Sequence, residues 1–247
     1  MVALLLSMLL APEGAVELKL RFEKGMVYEE ASKRQITFRA IHKGHMTRYD
    51  SEDEVVVRRT ILAVGEDGLP TEESVEVVKS VVTIREAPDD KTGTTVRPSQ
   101  GKTFAWRKGR LYEAGKDVSE EHKAIVQRLK SLGSVRLPKG PVAPGATWEV
   151  PARDFEASEG REVPEGVEGK AVFKLEEVND GVARISFEIR LAIPQGPRML
   201  KSTGKGTWLF DLRSGRELKL EGEAKIDIDD AEGGFGTQRT FRELTYR

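Results

Sequence analysis

The segment R-E-L-K-L-E-G-E-A-K-I-D-I, residues 216–228, alternates along its length: Leu218, Leu220, Ala224, Ile226 and Ile228 share one phase, and Glu217, Lys219, Glu221, Glu223, Lys225 and Asp227 the other. A period of two puts one set on a dry face and the other in water, the pattern of an antiparallel sheet wetted on one side. Residues 182–193 repeat it, with Ile185, Phe187, Ile189, Leu191 and Ile193 against Arg184, Ser186, Glu188 and Arg190, and residues 16–23 repeat it again. A chain written this way folds as an all-β protein of long antiparallel meander strands.

Strands are expected at 16–23, 27–41, 54–65, 73–85, 103–107, 110–113, 147–150, 170–178, 182–193, 203–212, 216–228 and 237–246. Between them stand Asn179-Asp180-Gly181, Arg213-Ser214-Gly215, Lys108-Gly109 and Glu66-Asp67-Gly68, each with glycine where a tight turn needs positive φ. Short local connections favour neighbouring antiparallel strands over parallel crossovers. One segment departs from the pattern. Ser119 offers an N-cap, Ile125, Val126, Leu129 and Leu132 recur at helical spacing, and Gly133 stops the run, so one amphipathic helix is expected over 119–132. Polar stretches at 89–101 and 155–169 read as loops.

The chain divides into a leader and one β-rich domain. Residues 2–11 form an apolar run, too short to span a bilayer but suited to the core of an export signal, so 1–15 reads as a signal segment. No later stretch is long and apolar enough to be a transmembrane span. Residues 16–247 then form the mature domain, in two similar halves, 16–136 and 145–247, joined at the Pro- and Gly-rich 137–144. Lys24-Gly25-Met26-Val27 matches Pro144-Gly145-Ala146-Thr147, and Lys102-Thr103-Phe104 matches Gly206-Thr207-Trp208, in the same order.

Composition excludes more than it selects. Lys and Arg number 40 and Asp and Glu 41, interspersed, which leaves no electrostatic footprint for nucleic acid. The absence of cysteine removes disulfides, thiolate metal sites and cysteine nucleophiles. Gly101-Lys102-Thr103 ends like a phosphate loop, but the glycine that pattern needs upstream is Val96. His42 and His45 lack a third metal ligand at a recognisable spacing, and they read as turn residues. Asp227, Asp229, Asp230 and Glu232 lack the spacing of a calcium loop and read as solvated hairpin acids. Trp106, Trp148 and Trp208 read as packing residues. No residue qualifies as catalytic, cofactor-binding or metal-ligating, and no cofactor is expected.

The physical problem is coverage. Some ten strands have dry faces, and one short helix cannot cover them. Either the sheet closes on itself as a sandwich or barrel, or a curved sheet leaves an apolar surface open to a guest. Together with the leader, the strands and the helix, the segments Pro141-Val142-Ala143-Pro144-Gly145-Ala146-Thr147-Trp148 and Gly206-Thr207-Trp208 make the chain resemble a group of uncharacterised secreted bacterial β proteins. At the level of fold it is also similar to the periplasmic lipoprotein carriers, whose half-barrel holds acyl chains; that resemblance implies a lipid or other apolar ligand, a periplasmic or secreted location and no catalysis. Three expectations follow. The first is a non-enzymatic extracytoplasmic protein that binds an apolar ligand or an envelope component. The second is a structural or adaptor β protein with a closed sandwich that binds another protein, for instance an envelope protein, by an edge strand or by the 155–169 loop. The third is an enzyme acting on an envelope polymer, which needs two carboxylates on the dry side; Glu176 and Glu243 are the acids to test.

Overall fold

The computed structural model describes residues 14–42, 45–87, 91–107, 110–118, 137–154, 163–196, 198–229 and 234–246. They form one antiparallel sheet. In chain order its strands are β1 (Val27–His42), β2 (His45–Val64), β3 (Pro70–Ala87), β4 (Lys91–Val96), β5 (Thr103–Arg107), β6 (Arg110–Glu113), β7 (Lys116–Asp117), β8 (Thr147–Pro151), β9 (Glu168–Asn179), β10 (Val182–Gln195), β11 (Arg198–Asp211), β12 (Arg216–Asp229) and β13 (Gly234–Tyr246). Across the sheet they run β7-β6-β5-β3-β2-β1-β13-β12-β11-β10-β9-β8, with β4 beside the far end of β3. The terminal strands β7 and β8 do not meet, so the sheet is an open, curved half-barrel rather than a closed one. The centre joins the chain's first strand to its last: Tyr28 faces Tyr246, and the ladder continues to Ala40 opposite Gly234.

Alternation translates directly into two faces. On β10, Ala183, Ile185, Phe187 and Leu191 are buried while Arg184, Glu188 and Arg190 are exposed. Three clusters of buried side chains form on the dry face. The largest contains Phe173, Leu175, Ile185, Trp208 and Phe210; the second Val55, Val57, Val75, Val77, Phe104 and Leu111; the third Met26, Tyr28 and Ile61. The second and third gather towards one end of the sheet, the proximal end, where the β2–β3, β9–β10 and β11–β12 turns lie; the largest starts there and runs along β9 and β10 as far as Leu191. The β1–β2, β10–β11 and β12–β13 hairpins turn at the opposite, distal end.

The first expected strand is not one. Residues 16–22 make a single bridge, Val16 with Val142, and the Arg21 amide donates to the Gly215 carbonyl at the β11–β12 turn. Leu18 and Leu20 are buried in the largest cluster, with Phe22 packed against it. The alternation there records an extended chain with one buried side that plugs the proximal end; a period of two does not by itself require a ladder. The expected loop 89–101 is also corrected, because six of its residues form β4, paired with Val81–Glu86 of β3. Three threonines favour extended backbone where their polarity suggests a loop. The helix expected at 119–132 and residues 1–13 of the expected leader lie outside the described residues. So do 155–162 of the second expected loop; Glu168 and Gly169 open β9.

One turn recurs at three strand openings. The Met26 amide donates to the Glu23 carbonyl, Gly25 N–H donates to Ile61 of the next strand over, and Ile61 N–H donates back to Met26. Gly101 and Lys102 repeat this with Val77, and Gly145 and Ala146 with Leu175. The glycine φ values are +87°, +80° and +89°, the left-handed conformation that this three-bond turn requires and that a Cβ disfavours. The Gly-Lys-Thr triplet is therefore a strand opener at the start of β5.

Candidate functional site

An alternating ladder of buried charge crosses the dry face. Each of five adjacent strands contributes to it: Glu73 from β3, Arg59 from β2, Glu30 from β1, Arg242 from β13 and Glu217 from β12. Arg59 donates through Nη1 to Glu73 at 2.8 Å and through Nε to Glu30 at 3.2 Å. Arg242 Nη1 lies 3.9 Å from Glu30, and its Nη2 donates to Glu217. Tyr246 donates its hydroxyl proton to the Glu217 carbonyl at 2.9 Å, with the Arg216 guanidinium 4.7 Å above its ring. Glu217 reaches the dry face through a bulge that sets it opposite Phe210.

Arg59 and Glu73 are each 1% exposed. Burial alone would lower the Arg59 pKa, but Tyr28, Glu30 and Glu73 outweigh it and hold the guanidinium above its ordinary value. Burial pushes the Tyr28 phenol well above its usual range, and Tyr246 is raised by burial and by Glu217. Every carboxylate in the ladder lies against an arginine. Such a ladder fixes strand register, because a two-residue slip would bury unpaired charge. A second junction nearby ties the turn after β4 to the sheet: Arg97 donates to Asp53 at 2.6 Å, Arg34 donates to the same carboxylate at 3.4 Å, and Gln100 accepts from the Ser80 amide.

Distal to this charge the dry face changes character. One row across the sheet reads Arg34, Thr240, Gly222, Gly206, Phe187, Phe173, Trp148. A row nearer the distal end reads Phe38, Gly236, Ile226, Ser202, Leu191. The glycines have a local cause: a Cβ at Gly206 or Gly222 would run into the Phe187 ring, and one at Gly234 or Gly236 into the Phe38 ring. Ring atoms of Phe187 stand over the first pair and those of Phe38 over the second, with the small Gly204 and Ala224 forming a low lane in the row between them. Ile36, Phe38, Leu200, Ile226 and Ile228 are half-buried and belong to none of the three clusters. Tyr49 and Ile84, on the same face, are 38% and 42% exposed.

The wet face carries a shallow trough of about 620 Å³ across β1 and β10–β13. Lys33, Lys205, Glu221, Glu223 and Arg239 wall it, with Gly206 and Gly222 in its floor. Its charges neutralise one another locally: Lys33 pairs with Glu52 at 2.8 Å and Lys205 with Glu223 at 3.5 Å. Glu176 and Glu243 also lie on the wet face. Glu176 is held below the usual carboxylate range by hydrogen bonds from Lys174 and Ser186. Neither supplies the inward acid that the enzymatic expectation needed. Of the acids that do face the dry side, Glu30, Asp53, Glu73 and Glu217 are each bonded to arginine.

Trp208 is buried in the largest cluster, with Trp148 packed against it and stacked 5.6 Å from Phe173; Trp106 packs against the second. His42 and His45 face each other as the closing pair of the β1–β2 hairpin. Asp227 lies on the exposed side of β12, and residues 230–233 are outside the described set. Among the described residues no helix is long and apolar enough to cross a membrane.

The fold and its surfaces define an all-β protein built on one open antiparallel meander. No family model matches the chain, and no curated protein matches it. Among solved structures it is similar to DynF from the dynemicin biosynthesis pathway of Micromonospora chersina, at 8% identity over 93% of this chain and 84% of that one, with a TM-score of 0.24. It is similar to the translocator domain of the autotransporter NalP from Neisseria meningitidis at 10% identity, over 90% and 89% of the two chains, with a TM-score of 0.22. Pseudomonas aeruginosa OccK7 (OpdD) aligns at 10% identity over 90% and 70%, with a TM-score of 0.20. Likenesses this low carry no argument about function.

Proposed function

We propose that the protein is a non-enzymatic extracytoplasmic binding protein that takes up an elongated apolar ligand along the distal half of its dry face. The supporting observation is the patch of Ile36, Phe38, Ile226, Ile228 and Leu200, drawn from three successive rows of the sheet: apolar, half-buried and outside every buried cluster. An apolar strip of this kind gains when an apolar guest displaces its water, at about 25 cal/mol per Å² of apolar surface removed from solvent. The plugged proximal end gives the strip a floor, and the lane between Phe38 and Phe187 gives an extended chain a place to lie. The apolar leader supports the compartment.

The test is to purify the full chain without detergent and to weigh the native protein and its organic extract by mass spectrometry. The reading expects a stoichiometric apolar molecule, or, for a protein stripped of it, saturable uptake of an apolar dye that Phe38→Asp abolishes. A ligand-free protein whose dye uptake is absent, or unchanged by that substitution, refutes it.

A further inference from the structure

Among the described residues the sheet has several free edges, and they are not equally guarded. β7 has two residues, and β8 ends at Pro151, which has no N–H to offer. Short strands and prolines are the usual protections of a sheet edge. β4 has neither. All six residues of K-T-G-T-T-V are exposed, its only charged side chain is Lys91, and its ladder partner is β3 on one side. Exposed apolar side chains also stand on both faces of the surrounding corner: Tyr49 of β2 and Ile84 of β3 on the dry face, 38% and 42% exposed, and Met46 of β2 and Val96 of β4 on the wet face, 59% and 57% exposed. An unpaired edge bordered by exposed apolar side chains has the two elements of strand-addition recognition, backbone hydrogen bonds and side-chain contacts.

We infer that β4 pairs with β4 of a second copy of this chain, antiparallel about a two-fold axis at Gly93, so that two sheets join into one. Self-complementarity selects this occupant. Opposed residues in an antiparallel pair share a face, so the axis must pass through a residue, Gly93 or Thr94. At Thr94 it would set Lys91 opposite Arg97. At Gly93 it sets Lys91 opposite Thr95 and Thr92 opposite Thr94, a favourable threonine pair with no like charges facing. Gly93 at the axis leaves open space on the dry face beside Ile84, its partner on β3. A five-residue pairing, Lys91 to Thr95 of each copy, buries far less than the ~1,600 Å² of a standard interface, so the dimer is weak, with dissociation at roughly 10 µM or above.

The chain contains no cysteine, so one introduced thiol reports the contact cleanly. A Cβ at Gly93 meets nothing within 4 Å, and the same holds at Gly140, remote in sequence, which serves as the control. Directly opposed residues in an antiparallel pair stand about 5 Å apart at Cα, within reach of a disulfide. Under mild oxidation at 10 µM the full chain carrying Gly93→Cys is expected to cross-link at least tenfold faster than that carrying Gly140→Cys. Sedimentation velocity of the unaltered chain between 10 µM and 1 mM is expected to move from monomer towards dimer. The double substitution Thr92→Lys with Thr94→Lys, which places lysine opposite lysine, is expected to raise the midpoint at least tenfold with an unchanged circular dichroism spectrum. Equal cross-linking rates, a monomer throughout, or a dimer indifferent to the two lysines each overturns the inference.

Discussion

The proximal and distal halves of the sheet share the same alternation and differ in what lies against it. Proximally, the dry phase of β2 is Val55, Val57, Arg59 and Ile61, all nearly water-free. The same phase of the same strand reads Tyr49 and Ser51 distally, with Tyr49 exposed. The proximal half has the extended 16–22 segment as a plug and a charge ladder to hold its register. The distal half has rings standing over glycine. A long strand thus serves two purposes, a sealed core that sustains the fold and an apolar surface left open by it, and substitutions of like kind at the two ends separate them.

The largest difference is expected from phenylalanine. Phe210→Ala, at a wholly buried position, should cost about 4 kcal/mol, the lost transfer energy plus the cavity that rigid neighbours cannot fill. Phe38→Ala, at the half-buried distal position, should cost about 1 kcal/mol, since water already reaches one side of the ring. Urea unfolding of both variants checks this. Equal losses would show that the distal face is as sealed as the proximal one and would erase the contrast.

The charge ladder comes next. Arg59→Met leaves Glu73 buried without its cation and should destabilise by about 3 kcal/mol in the same assay. Arg34→Met alters a pair whose arginine is 35% exposed and whose carboxylate keeps Arg97, so the loss should stay below about 1 kcal/mol.

The tyrosines at the ladder add a pH dependence with a definite sign. A phenol raised by burial holds its proton in the folded state when the unfolded chain has released it, so its contribution is complete below pH 10 and is lost as pH climbs from 10 towards the raised value. Stability should therefore fall on the alkaline side. The double variant Tyr28→Phe with Tyr246→Phe should flatten that limb while costing about 1 kcal/mol at pH 7, where the Tyr246 hydroxyl loses the Glu217 carbonyl. Unfolding midpoints at pH 7, 9 and 11 resolve both effects.

Much of the proximal core was readable in residue order, and the reason is local: period two names the face, and Gly-bearing turns name the hairpins. β5 and β6 have the bounds their sequence suggests, and the other long strands differ mainly by extending further distally. The pairing of β1 with β13 was not readable, since it joins opposite ends of the chain and nothing local records it. Nor was the ladder. Its signal is present, in that Arg59 interrupts the apolar phase of β2 and Glu73 opens that of β3, but an isolated charge on a dry phase looks like a fault until its partner, found through pairing, stands beside it. Glu217 was hidden more deeply, because the bulge at Leu209/Phe210 moves it from the wet phase to the dry one. β4 was missed because its threonines and glycine suit a loop as well as an exposed edge.

The smallest effect belongs to the wet face, and it closes the comparison. Lys170 bonds Glu149 at 2.5 Å between β9 and β8, a short contact by distance alone, yet the two side chains are 52% and 56% exposed. Water solvates both ions when they separate, and holding them together restricts two long side chains, so Lys170→Ala should change stability by no more than about 0.5 kcal/mol. The same reasoning extends to Lys205 with Glu223 and Arg184 with Glu177. If urea unfolding instead showed a loss as large as that of Arg59→Met, the wet face would be part of what holds the sheet's shape. A change near zero, unaltered between low and high salt, leaves the plug, the buried clusters and the ladder to sustain the fold.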